Sequence, residues 1–490
     1  MFYWLSSNPD HIGGAGMGFM FSNVVGLSLI IGSGAGAQPL TSQAFGAQNF
    51  PRCGDLLQRQ LAIHVLLVIV IAVIWLSAEP LLVLLKQPRE IAALAGEFLR
   101  WRVAALPALA LKEDLTCFLI AQRTMRLPMF ASIAASVFNI IFFAALIPQL
   151  GFIGAPLAYT LSNILQAAIL LVGAWKVFPN AETWPHWNFR VALSGWPELL
   201  KLALPGGILM LCEWWGWETN LFFAGLLCDT TSDTGCVQLD VYPIVANTMV
   251  IAFMPNYGFS IAAGAMIGNA LGANDPQKAR RIGNIALGIA TFIGGAVGFA
   301  IFLFRHQWGY LFSQDMEILM LTSRTLPIIC VYIFLDNLGP GALLNILRGM
   351  NIVTAPAIIT FIAFYGMGIP VGLWLTFKRS SEHWGIIGLW SGLTLGMFFM
   401  VSSLLLFLFV FADWYRAAEN AQRKAQSKSE FTAVVAEEIA SLSTECTKIS
   451  DDVEECSVNF PVKPERTTIG KSDYEAVRSA GQSNSLYTGI

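Results

Sequence analysis

Charge is scarce in this sequence. Aspartate, glutamate, lysine and arginine make up 12% of its 490 residues, against about 25% in an ordinary soluble domain. That scarcity excludes a water-soluble globular chain of this length, and no nucleic-acid partner is expected. The eight cysteines include no CxxC pair, so they carry no zinc or redox motif. There is no Walker loop, no nucleophile elbow and no cluster with metal-ligand spacing, which argues against ATP hydrolysis, against an enzyme and against a bound cofactor. No cationic stretch precedes the first apolar run, which speaks against a cleaved signal peptide.

Apolar residues fill the space that charge leaves. They form 55% of the chain, and the mean hydropathy is +0.61. Runs long enough to cross a bilayer as helices recur at 13–36, 61–85, 98–121, 129–147, 152–172, 202–227, 241–268, 285–304, 318–347, 352–377 and 386–411. The predicted fold class is therefore an all-α polytopic membrane protein. Arg52, Arg59, Arg123, Arg126, Lys278, Arg280, Arg281, Arg416, Arg423 and Lys424 fall in one alternating set of loops. The other set holds Lys86, Arg89, Arg100 and Arg102. The larger basic set reads as cytoplasmic and takes the C-terminus with it.

The chain also repeats itself. QAFGAQN (43–49) matches NALGAND (269–275) 226 residues later, and GFIGAPLA (151–158) matches GIIGLWSG (385–392) in the same order. Two ordered matches at similar spacing indicate two pseudo-symmetric bundles of six helices, related by an axis along the membrane normal. Shifting the span at 202–227 back by the same offset places its partner before Met1. A first helix missing from this chain is thus expected, the alternative being a true eleven-span protein. The expected organisation is an N-terminal membrane lobe (1–175), an inter-lobe loop (176–201), a C-terminal membrane lobe (202–411) and a cytoplasmic, mostly disordered tail (412–490), with a polar juxtamembrane helix near 414–437. Trp-Pro and His-Trp pairs place the inter-lobe loop at the membrane interface. Cys228 and Cys236 flank the polar loop DTTSDTG, either as a disulfide or as two free thiols.

Polar residues inside apolar spans are the functional candidates, because a charge at a helix centre costs about 2.5–3.5 kcal/mol on insertion scales. LCEWWGWETN (211–220) holds two. Glu213 and Glu218 are five residues apart, about 140° around a helix, so both can border a wide cavity. Trp214 and Trp217 each stand four residues from one of these carboxyls. Carboxylate beside indole suits an organic cation, with the charge on the acid and the body on the ring. Withdrawal from water favours the neutral acid, so a proton can compete for the same site. Structural acids bonded to neighbouring helices are the other reading. Asp336 lies beside Asn337 and before Gly339-Pro340-Gly341, which should bend or break its helix and free carbonyls. It is either a second functional acid or a cap. Asn247 can bond a substrate or serve as polar glue between helices. In LKEDL (111–115) the three charges point in different directions, and local neutralisation or an interfacial helix end is the favoured reading, with Glu113 the one candidate for function. His64 reads as a hydrogen-bonded helix histidine, and less readily as a proton relay.

From EWWGWE (213–218) together with TSQAFGAQN (41–49), ALP (203–205), GNALGAND (268–275), LRG (347–349), YGMGIPVGL (365–373) and GIIGLWSG, the chain resembles the multidrug and toxin extrusion (MATE) family, eukaryotic type. The resemblance implies twelve helices in two six-helix lobes, and export of organic cations or other metabolites in exchange for protons. It implies roles for Glu213 and Glu218, and Asp336 is similar to the family's tenth-helix acid. Asn247 stands where vertebrate members carry an eighth-helix glutamate, as in the plant-type pattern. The expected partners are small organic cations, protons and the lipid bilayer. The driving force is a proton gradient with no cofactor, the protein is a monomer, and its location is the plasma membrane or a vacuolar or other endomembrane. Export of organic anions, movement of lipid-like metabolites, or a non-transporting receptor or scaffold are the alternative functions.

Overall fold

Each of the eleven apolar runs lies on helix in the computed structural model, which describes residues 9–85, 87–177, 183–184, 187–227, 237–378 and 384–425. Among these residues there is no strand, and eight stretches are long and apolar enough to cross a membrane, one of them (Arg126–Lys176) containing both the 129–147 and the 152–172 runs. The runs at 98–121 and 202–227 are helical but less apolar, because Lys112, Glu113 and Asp114 sit in the first and two glutamates and three tryptophans in the second. The exterior is oily, as a bilayer requires. On one helix Val65, Ile69 and Val73 are 59%, 55% and 59% exposed at four-residue spacing, while Ile71 and Trp75 are buried.

The helices that position the site are α1 (Pro9–Ser22), α2 (Ser28–Gly46), α3 (Phe50–Leu76), α4 (Ala78–Leu84), α5 (Arg89–Arg102), α6 (Leu106–Ala121), α7 (Arg126–Leu150) and α8 (Gly154–Val177). After the short α9 (Phe189–Ala192) come α10 (Trp196–Gly225), α11 (Val237–Gly272), α12 (Pro276–Leu303), α13 (Arg305–Trp308) and α14 (Met316–Leu338). The chain then runs through α15 (Leu344–Gly349), α16 (Thr354–Phe361), α17 (Ile369–Leu373), α18 (Gly385–Leu406) and α19 (Trp414–Ala425). Gly339-Pro340-Gly341 opens a π-helical turn, Gly339–Leu343, because proline removes a backbone donor. Pro243 and Pro255 lie inside α11, which remains one helix.

The sequence repeats adopt the same backbone. Gln48 and Asn274 both have positive φ, and their turns carry matched bonds: Asn49 N donates to Ala44 O at 3.0 Å, and Asp275 N to Ala270 O at 2.9 Å. Asn49 and Asp275 then cap the helices that follow. Arg123 and Asn351 form a second matched pair of left-handed residues, and Gly151 and Gly385 a third. The helix ends that lead into these matched turns also touch each other reciprocally. A Cβ on Gly46 would meet the Asn269 carbonyl, with Asn269 Cα at 2.8 Å, and one on Gly272 would meet the Gln43 carbonyl, with Gln43 Cα at 2.9 Å. The Gln43 amide donates to Gly349 O at 3.2 Å, and the Asn269 amide to Ala121 O at 2.9 Å. Farther along α2, the backbone packs directly on α10: a Cβ on Gly32 would stand 2.7 Å from Gly207 Cα, and one on Gly36 2.7 Å from Ala203 Cα. Small residues permit such close crossings.

Several expectations change. Arg102 is not a loop charge. It is fully buried, with its guanidinium 3.9 Å from the Tyr159 ring and 4.9 Å from that of Phe19. Arg52 and Arg59 are buried too. Arg52 pairs with Glu198 at 2.7 Å and Arg59 donates to Val191 O, so both hold the segment joining the two halves of the chain. Asp114 is no interfacial end, for it is buried within α6. Within the expected tail, Trp414–Ala425 is the helix α19. It buries Ala418, Ala421 and Ala425, its Ala425 carbonyl accepts from Asn49 at 2.6 Å, and its Gln422 donates to Gly272 O. The rest of the tail, most of 178–186 and the Cys228–Cys236 loop lie outside the described residues.

Candidate functional site

Helix α10 carries the two glutamates across from α14. Both are half-buried, whereas Asp336, one turn after Tyr332 on α14, is buried. Glu213 and Asp336 stand within electrostatic reach of each other and of Tyr332. Asp336 Oδ1 has no hydrogen-bond partner among the described residues, and neither Asp336, Glu213 nor Glu218 forms an ion pair with any of them. The Arg348 guanidinium acts on Glu213 through space and also reaches Tyr257. Glu218 lies near Tyr242, whose hydroxyl donates to the Trp217 carbonyl at 2.7 Å.

The π turn after Asp336 is pinned from α11. The Asn256 amide donates to Asn337 O at 2.8 Å and packs against Gly341, where any side chain would displace it. This bond ties α11 to α14 at the residue after Asp336, just ahead of the π turn.

The candidate residues separate into distinct groups. Glu213 and Asp336 come together, with Glu218 five residues along the same helix. Glu113 stands on α6 in the other half, half-buried and accepting from Cys117, and it shares Tyr257 as a neighbour with Glu213. Asn247 is exposed, and its amide donates to Pro243 O of its own helix at 2.8 Å rather than to an acid. Trp217 is a strut. Its indole donates to Tyr332 Oη at 3.0 Å, and Tyr332 and Tyr242 both pack on Trp390, at ring distances of 5.8 and 5.4 Å. Trp214 is half-buried on the same helix, with no hydrogen bond to its ring among the described residues. Tyr242, Tyr332, Trp390, Asn256 and Arg348 are parts of the site that sequence reading missed. Only Arg348, a charge inside an apolar stretch, carried a signal of its own.

This division gives a measurable contrast. Trp217→Phe should lose the bond to Tyr332, worth about 0.5–1.5 kcal/mol, and so lower the thermal unfolding midpoint in lipid nanodiscs. Trp214→Ala should leave that midpoint close to wild type and instead weaken binding of an organic cation, by about 0.5–2 kcal/mol if the ring stacks on it. Equal stability loss in both variants, with unchanged binding, would remove Trp214 from the site.

A groove of about 700 Å³ lies elsewhere, between the start of α12 and α19, and is lined by Arg280, Arg281, Asp413 and Trp414. None of the candidate acids borders it.

Comparison with known proteins shows the family. The MatE family profile matches residues 1–144 and 208–374. Multidrug and toxin extrusion protein 2 of Mus musculus is 32% identical over 409 residues, covering 83% of this chain and 69% of that protein. Protein DETOXIFICATION 16 of Arabidopsis thaliana is 30% identical over 412 residues, covering 84% and 82%. The crystal structure of the eukaryotic MATE transporter AtDTX14 superposes with a TM-score of 0.79 at 23% identity, covering 86% of this chain and 93% of that one. The chain belongs to the MatE family and is a multi-pass membrane transporter.

Proposed function

We propose that the protein exports organic cations, xenobiotics among them, in exchange for protons by alternating access. Glu213 and Asp336 hold the exchanged charge, and Glu218 stands five residues along the same helix as Glu213. One observation carries this reading: two carboxyls from different helices lie within electrostatic reach of each other inside the protein, and among the described residues neither forms an ion pair, Arg348 acting on Glu213 only through space. A buried acid of this kind is stable either protonated or with a mobile cation, and those are the two states an exchanger alternates between. The extrusion proteins among the relatives support xenobiotic substrates. The two repeat-related halves are the moving bodies, the Arg-rich loops mark the cytoplasmic face, and the functional unit is a monomer in a plasma or vacuolar membrane.

The test is uptake of labelled tetraethylammonium into acid-loaded proteoliposomes. The expected result is accumulation that follows the pH step and collapses when a protonophore is added. Uptake equal to that of empty liposomes at every pH gradient would reject the exchange.

A further inference from the structure

A second polar assembly lies in the first half of the chain. His64 of α3 is buried and bonded on both sides. Its Nδ1 sits 2.8 Å from Asp114 Oδ1 and 2.9 Å from Oδ2. Its Nε2 faces Ser33 Oγ of α2 at 2.7 Å and the Gln60 amide at 3.1 Å. The titratable groups facing the ring are Asp114 and Glu113 of α6, while Lys112 turns away to Gln166. We propose that Ser33, His64 and Asp114 form a proton-binding site of their own, separate from Glu213, Glu218 and Asp336.

The argument rests on what surrounds Nε2. Asp114 is a fixed acceptor, so Nδ1 carries a proton in either charge state. Both partners of Nε2, by contrast, can reverse. Ser33 Oγ lies 2.6 Å from Leu29 O and can spend its proton there while accepting from an imidazolium, or turn that proton to a neutral ring. Gln60 presents Nε2 to the ring, and its Oε1 has no other partner among the described residues, so half a turn of the amide presents an acceptor instead. A permanent ion pair needs only acceptors around the ring. A shell that satisfies Nε2 with or without its hydrogen is built for gain and loss of one proton, on the side chain whose charge changes near physiological pH. Uptake forms one Nε2–H bond and turns imidazole into imidazolium opposite the Asp114 carboxylate, and release reverses it.

Gly34 lets Glu113 pack close to the ring. A methyl group there would stand 3.0 Å from Glu113 Cγ and 3.7 Å from both Glu113 Oε1 and His64 Cε1, so both side chains lie against this one glycine.

The consequence for transport rests on the proton-exchange reading, but the site itself is testable without it. Full-length protein labelled with ¹⁵N-histidine in lipid nanodiscs contains five histidines, and His64→Gln identifies the signal. Should that variant fail to fold, the shift perturbation in Ser33→Ala identifies it instead. The expected result is that His64 Nε2 changes between bare and protonated within pH 5–9, and still does so in Glu213→Gln. Asp114→Asn should move the midpoint to lower pH by about one unit or more, because the facing negative charge is gone. A ring in one protonation state throughout that range overturns the proposal, and so does a titration that vanishes in Glu213→Gln. In proteoliposomes, Asp114→Asn should shift the pH at which cation exchange is half-maximal. An unchanged pH profile beside an intact His64 titration would leave a proton site with no part in exchange, and would overturn its coupling to transport.

Discussion

Glu213→Gln should end pH-driven cation accumulation while leaving the protein folded. The amide keeps the size of the carboxyl and can still bond, but it carries no charge and takes up no proton. Two effects follow. A bound cation loses its counter-charge in a poorly hydrated space, where removing one member of a buried charge pair costs about 2–5 kcal/mol. The proton also loses its competitor site. Cation and proton exclude each other there, so wild-type cation affinity should rise with pH as the carboxyls ionise, and that slope should flatten in the variant. Asp336→Asn should act in the same direction, since it lies within electrostatic reach of Glu213 and its Oδ1 has no hydrogen-bond partner among the described residues. Glu218→Gln should act similarly if its carboxyl shares the space. Wild-type exchange in all three variants would make these acids structural and reject the mechanism.

Gly46→Ala and Gly272→Ala should each open the contact between the paired helix ends. The added methyl group would meet backbone, not a side chain that can move: the Asn269 carbonyl in one case and the Gln43 carbonyl in the other. Overpacking of this kind costs about 1–3 kcal/mol, enough to change the ratio of two conformers roughly 5- to 150-fold. Spin labels on the exposed residues Arg126 and Lys278, one in each half, should therefore report longer distances in either variant than in wild type. Identical distance distributions in a folded Gly46→Ala protein would mean that the helix ends do not part. The reciprocity adds a sharper expectation: the two alanine variants should shift the distribution by similar amounts, because each blocks an equivalent contact.

Much of this architecture was legible before any coordinates. The spans needed only composition, since lipid tolerates long apolar runs and soluble folds do not. The repeat was legible because a left-handed turn followed by a capped helix demands particular residues, and Gln48-Asn49 and Asn274-Asp275 meet that demand in the same register. The expense of burying charge marked Glu213, Glu218 and Asp336. What remained hidden depends on which helices meet. Nothing local distinguishes Trp217, held by Tyr332 115 residues away, from Trp214. His64 and Asp114 are 50 residues apart, so the histidine read as hydrogen-bonded with no partner named and the acid as part of a helix end. Asn247 likewise gave no sign in the sequence that its amide bonds to Pro243 O of its own helix. Arg102 was counted as a loop charge because a sequence cannot show the ring of aromatic faces that accommodates it.

The reciprocal contact between helix ends has the form of a homodimer interface. In a two-fold dimer, residue i of one subunit meets residue j of the other, and j meets i. Here Gly46 meets Asn269 while Gly272 meets Gln43, within one polypeptide. Two separate subunits would have to find each other again after every opening, at a rate set by their concentration in the membrane. Joined in one chain, the partners remain at an effective concentration fixed by the linker, of millimolar order for a short one. Closure is then a first-order event, and each molecule can complete its cycle at a pace independent of how sparsely it is expressed.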